Sequence, residues 1–172
     1  MMDWERTVQA GDIPMQDPIA FFITWSAYGT WLPGDSRGWV EYRHGWKLPD
    51  PIMELECMAR MTEDACKLTL FERGIVEDQI AETCCYRHWT LLAINCRSNH
   101  LHCVLHASGT KPKKIRMDLK AWCTRRLKEK SNPTRENWWA ERGSIRCVWD
   151  EDSLERVILY VNDAQDNKHL DS

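Results

Sequence analysis

The sequence predicts an α+β fold of the ferredoxin-like type, in which an antiparallel sheet carries helices on one face and a further helix follows at the C-terminus. Short apolar runs rich in aromatic and β-branched residues alternate with longer segments of helical periodicity. The predicted order is β-α-β-β-α-β and then one helix, which is the ferredoxin-like plan. A chain of 172 residues, 43% of them hydrophobic, is long enough to bury one substantial core.

The first third of the chain contains one clear strand and one unusual loop. Residues 1–18 are predicted to be a flexible lead-in, and residues 19–172 a single domain. The run IAFFITWSA, residues 19–27, is a predicted strand. Residues 28–46 are rich in Gly, Pro and Trp and too numerous for a simple turn, which indicates a functional loop or an extended flap. The pattern of residues 47–60 indicates no regular helix or strand.

The middle of the chain predicts a helix and then a pair of strands. Helical periodicity begins after Thr62, whose hydroxyl suits an N-cap, and it is strongest over residues 76–87. Two strands follow at about residues 88–95 and 100–106, joined by residues 96–99.

Two helices and a strand complete the chain. Residues 113–130 form a strong helical pattern, which Pro133 ends. The predicted inner stripe of this helix consists of Ile115, Leu119, Trp122 and Cys123. Residues 143–150 predict a strand, and Ser153 is placed to cap a last helix over residues 154–165.

Charge is distributed unevenly, although the net charge is only −3. Residues 97–146 hold 13 lysines and arginines against 4 aspartates and glutamates, whereas the remainder holds 10 against 22. Such a segment suits a phosphate-binding face; a solvated basic helix surface is the alternative. The candidate DNA-binding residues are Arg97, Lys113, Lys114, Lys120, Arg125, Arg126 and Lys128.

Ten tryptophans are many for this length, and Trp122 is expected in the core. Others lie among polar or glycine-rich residues: Trp31, Trp39, Trp46, Trp138 and Trp139. Exposed indoles beside basic residues make stacking platforms for unpaired bases. The alternative is that they cover loops against the core.

The eight cysteines are interpreted as small buried hydrophobic residues, because most lie in apolar runs. Cys84, Cys85 and His88 form part of a zinc site in an alternative interpretation. There is no run of 18 apolar residues, and the polar, acidic N-terminus lacks an apolar signal core. We therefore expect a cytoplasmic protein that does not associate with membranes.

The most informative motif is His100-Leu101-His102. Alternating residues of a strand share a face, so the two imidazoles lie about 6–7 Å apart along it and can share a divalent metal. Leu101, Cys103 and Leu105 are expected to face the covering helices instead. Tyr160 lies at the flank of the last amphipathic helix rather than in its apolar stripe. A histidine pair with a helical tyrosine indicates strand cleavage through a phosphotyrosine bond.

Five pieces of the chain resemble the single-tyrosine HUH transposases, in particular the REP-associated relatives. These pieces are YGTWLPGDSRGWV, RSNHLHCVLHA, LKAWCTRRL, RGSIRCVWDEDSL and LYVNDAQ, and they occur in the order typical of that family. The resemblance covers roughly residues 19–166. It implies an enzyme that cuts single-stranded DNA, often next to a hairpin, and leaves a 5′-phosphotyrosine and a free 3′-hydroxyl.

The resemblance also implies the roles of individual residues. Tyr160 would be the nucleophile, and His100 and His102 would hold Mg²⁺ or Mn²⁺ with Gln165 as the third protein ligand. In better-known members that ligand lies four residues after the tyrosine, a position occupied here by Ala164. On a regular helix Gln165 would point about 140° away from Tyr160. Asp163 is therefore the alternative ligand.

The expected partner is single-stranded or hairpin DNA, and a homodimer is one assembly compatible with this prediction. A domesticated protein that recognises hairpin repeats without transposing them is an alternative function. An RNA-binding domain of the same topology would carry aromatic residues on its central strands. The run HLHCVLH contains none, which disfavours that third interpretation.

Overall fold

The structure is a computed structural model that describes residues 17–163. The predicted lead-in therefore lies almost wholly outside the described residues. The elements, in chain order, are β1 (Ala20–Ser26), β2 (Trp39–Glu41), β3 (Gly45–Lys47), α1 (Pro51–Ala59), α2 (Leu70–Tyr86), β4 (Thr90–Cys96), β5 (His100–His106), α3 (Pro112–Lys130), β6 (Ser144–Val148) and α4 (Glu151–Asn162).

The main sheet has four antiparallel strands in the order β4-β5-β1-β6. This arrangement confirms the α+β class and the ferredoxin-like order, with β5 as one of the two central strands. Its register places Thr24 opposite His102, and Phe22 opposite both Val104 and Arg146. Since paired residues point to the same side, these side chains share one face of the sheet.

Helices α2 and α3 cover the other face. Leu101, Cys103 and Leu105 point into this layer, as the alternation of β5 predicts, and form the larger core with apolar side chains of both helices. The buried stripe of α3 consists of Ile115, Leu119, Cys123 and Leu127. Trp122 was wrongly expected in this stripe: it is 39% exposed, with the Arg125 guanidinium 4.9 Å from the ring centroid. The buried residues of α3 follow one another at intervals of four, so the stripe continues from Cys123 to Leu127 and Trp122 lies outside it.

The expectation that helices lie on one face holds for α2 and α3 but is wrong for α4. Helix α4 packs on the face that carries the histidines, through the partly buried Val157 and the buried Val161. Its partners there are Ala20, Phe22, Ala93, Val104 and Val148. The apolar stripe of α4 is satisfied by this second, smaller cluster, so the sheet is covered on both sides.

The segment after β1, residues 28–47, contains the β2-β3 hairpin, and we call it the flap. The two short strands β2 and β3 were not predicted from the sequence, and neither was α1, which occupies part of residues 47–60. Its N-terminus is well specified, because the Asp50 side chain accepts a hydrogen bond from the Met53 amide at 3.1 Å and Pro51 occupies the first turn. None of its residues is buried, so no buried apolar stripe marks it as a helix.

Two helix starts differ from the predictions. The N-cap of α2 is Thr69 rather than Thr62, and α4 is capped by the Asp150 carboxylate, which accepts from the Ser153 amide at 2.8 Å. Thr62 instead donates its amide to the Tyr28 hydroxyl. Gly74 lies inside α2 and does not interrupt it.

Thr69 and Glu72 form a capping box, in which each side chain accepts a hydrogen bond from the other residue's amide. Thr69→Ala is expected to lower the free energy of unfolding by about 1 kcal/mol, because the amide of Glu72 loses its partner. Urea denaturation monitored by circular dichroism measures the loss. Glu72→Gln preserves the box and serves as the control; equal losses in both variants would show that the cap is not the cause.

All eight cysteines are free. Five are buried, namely Cys66, Cys84, Cys96, Cys103 and Cys123, which confirms their interpretation as small hydrophobic residues. Cys85 is exposed while its neighbour Cys84 points into the core, so the two thiols of the alternative zinc site diverge. Within residues 17–163, no helix is long and apolar enough to cross a membrane.

Candidate active site

The histidine pair lies on the face of β5 that α4 partly covers. The ring centroids of His100 and His102 are 4.8 Å apart, with the rings nearly perpendicular. His102 is buried and His100 is half-buried. The single intervening residue thus brings two imidazoles within reach of one ion, as the sequence predicted.

Each imidazole is oriented by a hydrogen bond at Nδ1. The His100 Nδ1 lies 2.6 Å from the Asn99 Oδ1, and the His102 Nδ1 lies 2.7 Å from the Thr24 Oγ1. An amide oxygen only accepts, so His100 donates from Nδ1, which leaves Nε2 as the nitrogen that could bind a metal. Metal-binding histidines are commonly oriented by a hydrogen bond at their other ring nitrogen.

The environment keeps His102 neutral. Burial, together with the nearby positive charges of His100 and Arg97, lowers the pKa of His102 to about 4. A neutral imidazole is the form that binds a metal. Two imidazoles on one face, one of them held neutral by its surroundings, are a donor set that fits a divalent ion such as Mn²⁺.

Tyr160 lies beside His102, although 58 residues separate them in the chain. The two ring centroids are 5.6 Å apart in an edge-to-face arrangement, and Phe22 stacks against His102 at 5.5 Å. Tyr160 is 45% exposed, as its predicted position at the helix flank requires. Buried Val161 and the Asn95 amide, which donates to the Val161 carbonyl at 2.9 Å, fix this end of α4 on the sheet.

The metal and all three of its ligands stay predictions, and the third ligand has the least support in the structure. Gln165 lies outside the described residues. Asp163 is the exposed C-cap of α4, and its amide donates to the Leu159 carbonyl at 2.8 Å. Across residues 17–163, no three His, Cys, Asp or Glu side chains are grouped as a metal site.

A groove of about 380 Å³ lies on one side of Tyr160. Arg146 from β6 and Arg156 from α4 line it together with Trp149. The Arg146 guanidinium lies 5.3 Å from the centre of the Phe22 ring, which in turn stacks on His102. Two arginines beside a tyrosine can bind a phosphate group. Neither arginine was predicted from the sequence. For Arg146 the alternation of β6 was the available signal, because it places this residue on the face of Ser144 and Val148.

A second pocket, of about 350 Å³, lies beside the histidines and beneath the flap. Trp31 and Trp46 line it and are exposed, as the stacking interpretation requires. Trp138 and Trp139 behave differently: Trp138 is buried, and Trp139 packs against Trp25 in the core. The alternative interpretation, that indoles cover loops against the core, holds for these two.

The predicted DNA-binding residues divide between the two sides of the sheet. Arg97 is buried, its amide donates to the His100 carbonyl, and its charge acts on His102. The other six belong to α3, whose layer lies across the sheet from the histidines. The structure therefore does not bring the basic helix to the histidine pair.

Several α3 side chains also have partners within the protein. Arg126 pairs with Glu82 and Lys128 with Glu136, each at 2.7 Å, while Lys114 lies 3.1 Å from Asp118. Lys120 donates to the carbonyls of Ala140, Glu141 and Arg142. Burial lowers the pKa of Lys120 to about 8. Lys113 and Arg125 are exposed.

Comparison with known proteins identifies the fold. No family profile and no curated protein matches the chain. A solved structure of a REP-associated tyrosine transposase bound to a REP hairpin matches with a TM-score of 0.51 and 11% identity, covering 85% of this chain and 66% of that one. A "putative transposase" from Deinococcus radiodurans R1 matches with a TM-score of 0.51 and 12% identity, covering 87% and 92%. This chain thus spans just under two thirds of the first protein, and it shares the fold of these two transposase structures.

Proposed function

We propose that this protein is a metal-dependent transposase that cleaves and transfers single-stranded DNA through a 5′-phosphotyrosine intermediate. The observation that carries the proposal is the 5.6 Å separation of the Tyr160 and His102 rings, on the sheet face that also holds His100. The proposed nucleophile, Tyr160, and the proposed metal-binding pair lie close together there, although they are far apart in the chain. The fold shared with two transposase structures supports the same function.

The proposed reaction is a transesterification. The Tyr160 hydroxyl oxygen forms a bond to the scissile phosphorus and loses its proton, while the bond from phosphorus to the 3′ oxygen breaks and that oxygen gains a proton. A divalent ion held by His100 and His102 would neutralise a non-bridging oxygen and align the phosphate. A phenolate, whose conjugate acid has a pKa of about 10, is a moderate leaving group, so the bond is reversible and a second strand can be joined.

The surrounding residues fix these groups. Thr24 and Asn99 orient the two imidazoles. The ring of Phe22 stacks on His102 and also contacts the ring of Tyr160 edge-to-face. Arg146 and Arg156 place positive charge in the groove beside the tyrosine, where the phosphodiester must approach. The α3 cations lie too far from this face to contact the reacting phosphate, and we propose that they bind DNA beyond the cleavage point.

The test is incubation with single-stranded hairpin DNA and Mn²⁺, followed by a denaturing gel. A covalent protein–DNA adduct that requires the metal supports the proposal. Tight hairpin binding without any adduct, under conditions where the histidines bind Mn²⁺, would overturn it and favour the domesticated DNA-binding protein.

Two pairs of substitutions separate the basic surfaces. Arg146→Ala with Arg156→Ala is expected to reduce adduct formation even at saturating DNA, because the phosphate is no longer held beside Tyr160. Arg125→Ala with Lys128→Ala, on α3, is expected to weaken binding while leaving the adduct yield at saturation unchanged. Each lost phosphate contact lowers the log–log slope of single-strand affinity against salt by about 0.7.

Fluorescence anisotropy at several salt concentrations gives these slopes, and the gel gives the yields. An unchanged slope in the α3 pair would show that its charge is a solvated surface. Undiminished adduct in the groove pair would remove Arg146 and Arg156 from the active site.

A further inference from the structure

The pocket beneath the flap holds two tryptophans that the proposed reaction does not use. Trp31 and Trp46 project from the flap and are 42% and 61% exposed. They line the same pocket as His100 and His102. Large indoles left in water at the edge of a built pocket indicate a surface that is covered by a ligand.

Gly38 positions both indoles. Its carbonyl accepts a hydrogen bond from the Trp31 Nε1 at 2.8 Å. Its α-carbon lies directly against the ring of Trp46, and a Cβ at this position would collide with that ring. The φ angle of Gly38 is +85°, a conformation that a side chain disfavours. One glycine therefore contacts both of the tryptophans that line the pocket.

The flap is held by contacts within it and by one with Arg142 outside it, so the pocket is formed without a ligand. The Arg37 guanidinium donates to the Asp35 carboxylate at 2.7 Å and to the Thr30 carbonyl at 2.9 Å. The same hydrogen bond lowers the pKa of Asp35, which keeps that pair charged. On the hairpin, the Arg142 guanidinium lies 3.9 Å from the centre of the Tyr42 ring. A preformed site loses little conformational entropy on binding.

The lining of the pocket defines the chemistry of its ligand. Two indoles offer flat apolar surface, while Thr24, Ser26 and Asn99 add polar groups to the lining. Arg37, whose guanidinium pairs with Asp35, also lines the pocket. A flat ring with a polar rim, attached to a phosphate that lies at the histidines, satisfies all of these features.

We propose that the flap pocket binds one unpaired nucleobase of the DNA strand, adjoining the scissile phosphate, by stacking on Trp31 and Trp46. This inference rests on the proposed function, because the histidines place the phosphate. It assigns the flap a role in selecting unpaired over paired DNA: a base inside a duplex cannot enter the pocket. Base–aromatic stacking of this kind tolerates any of the four bases.

The test compares two oligomers of 12 residues, oligothymidylate and its abasic analogue, which carry the same phosphates. Affinities are measured by fluorescence anisotropy in EDTA, so no cleavage occurs. Trp46→Ala is expected to bind oligothymidylate about tenfold more weakly than the parent protein, within the range known for one stacked base. Binding of the abasic oligomer is expected to be unchanged. Gly38→Ala, which displaces the Trp46 ring without removing it, is expected to reproduce the loss, and Trp46→Phe to restore most of the affinity.

Phe71→Ala is the matched control, since Phe71 is an exposed aromatic residue on α2, across the sheet from the pocket, and this variant should bind oligothymidylate like the parent. Equal affinities of the parent, Trp31→Ala and Trp46→Ala for oligothymidylate would overturn the proposal. A loss of the same size on the abasic oligomer would also overturn it, because the indoles would then act on the backbone. If the parent protein bound neither oligomer, the proposed function itself would fail, which is a distinguishable result.

Discussion

Replacing Tyr160 with phenylalanine is expected to lower the yield of covalent protein–DNA adduct at least about 1,000-fold, as the loss of an essential nucleophile does in other enzymes. The substitution removes one oxygen and keeps the ring that contacts His102 and Phe22. The fold and hairpin binding should therefore stay as they are. A denaturing gel reports the adduct, and anisotropy reports binding by the same preparation.

Tyr86→Phe is the matched control, because Tyr86 is an exposed tyrosine at the end of α2, across the sheet from the histidines. This variant should form the adduct at the parental level. Peptide mapping of the parental adduct should place the DNA on Tyr160. An adduct on Tyr28, Tyr42 or Tyr86, or an undiminished yield in Tyr160→Phe, would contradict the assignment.

Substitution of either histidine of the pair is expected to abolish metal-dependent cleavage while hairpin binding is largely retained. His100→Ala removes a proposed ligand from a half-buried position, and His102→Ala removes a proposed ligand that is buried against Phe22. One remaining imidazole cannot hold a divalent ion at working concentrations. Calorimetric titration with Mn²⁺ measures the loss directly, without reference to cleavage.

His106→Ala is the control for this second prediction. His106 lies at the far end of the same strand, and its Nδ1 is 2.9 Å from the Ile19 carbonyl, so it should not alter metal affinity. Gln165→Ala is expected to weaken metal binding less than a histidine substitution, since water can replace a neutral amide. Abolished binding in Asp163→Ala but not in Gln165→Ala would reassign the third ligand, and unchanged affinity in both histidine variants would mean that the site is misplaced.

The sequence predicted the strands and the histidine pair well because both depend on local alternation. Helix α1 escaped prediction because its cap and proline specify it without a buried stripe. The position of α4 could not be inferred, since the periodicity of an amphipathic helix does not say which face of a sheet it covers. For the same reason, the sequence did not show that α3 and its basic residues cover the face opposite the histidines.

The groove arginines were missed for a related reason. Arg146 reaches the site only because β6 pairs with β1 in a register that sets it opposite Phe22. The excess of positive charge in residues 97–146 indicated α3 instead. On that helix, Lys120 donates hydrogen bonds to three carbonyls of the protein itself. A count of charges along the chain does not register such internal partners.

The hydrophobic clusters on the two faces of the sheet differ in size, and this difference determines which part of the protein should unfold first. Helix α4 rests on the smaller cluster, in which Val161 is its one fully buried residue among those described. Local opening should therefore detach α4 long before α2 and α3 separate from the sheet, and its amides should exchange with solvent earliest among the helices with a buried residue. Mild heating, or a substitution that weakens the small cluster, would then displace Tyr160, the proposed nucleophile, while the rest of the protein stays native. Loss of the proposed activity would therefore precede loss of structure.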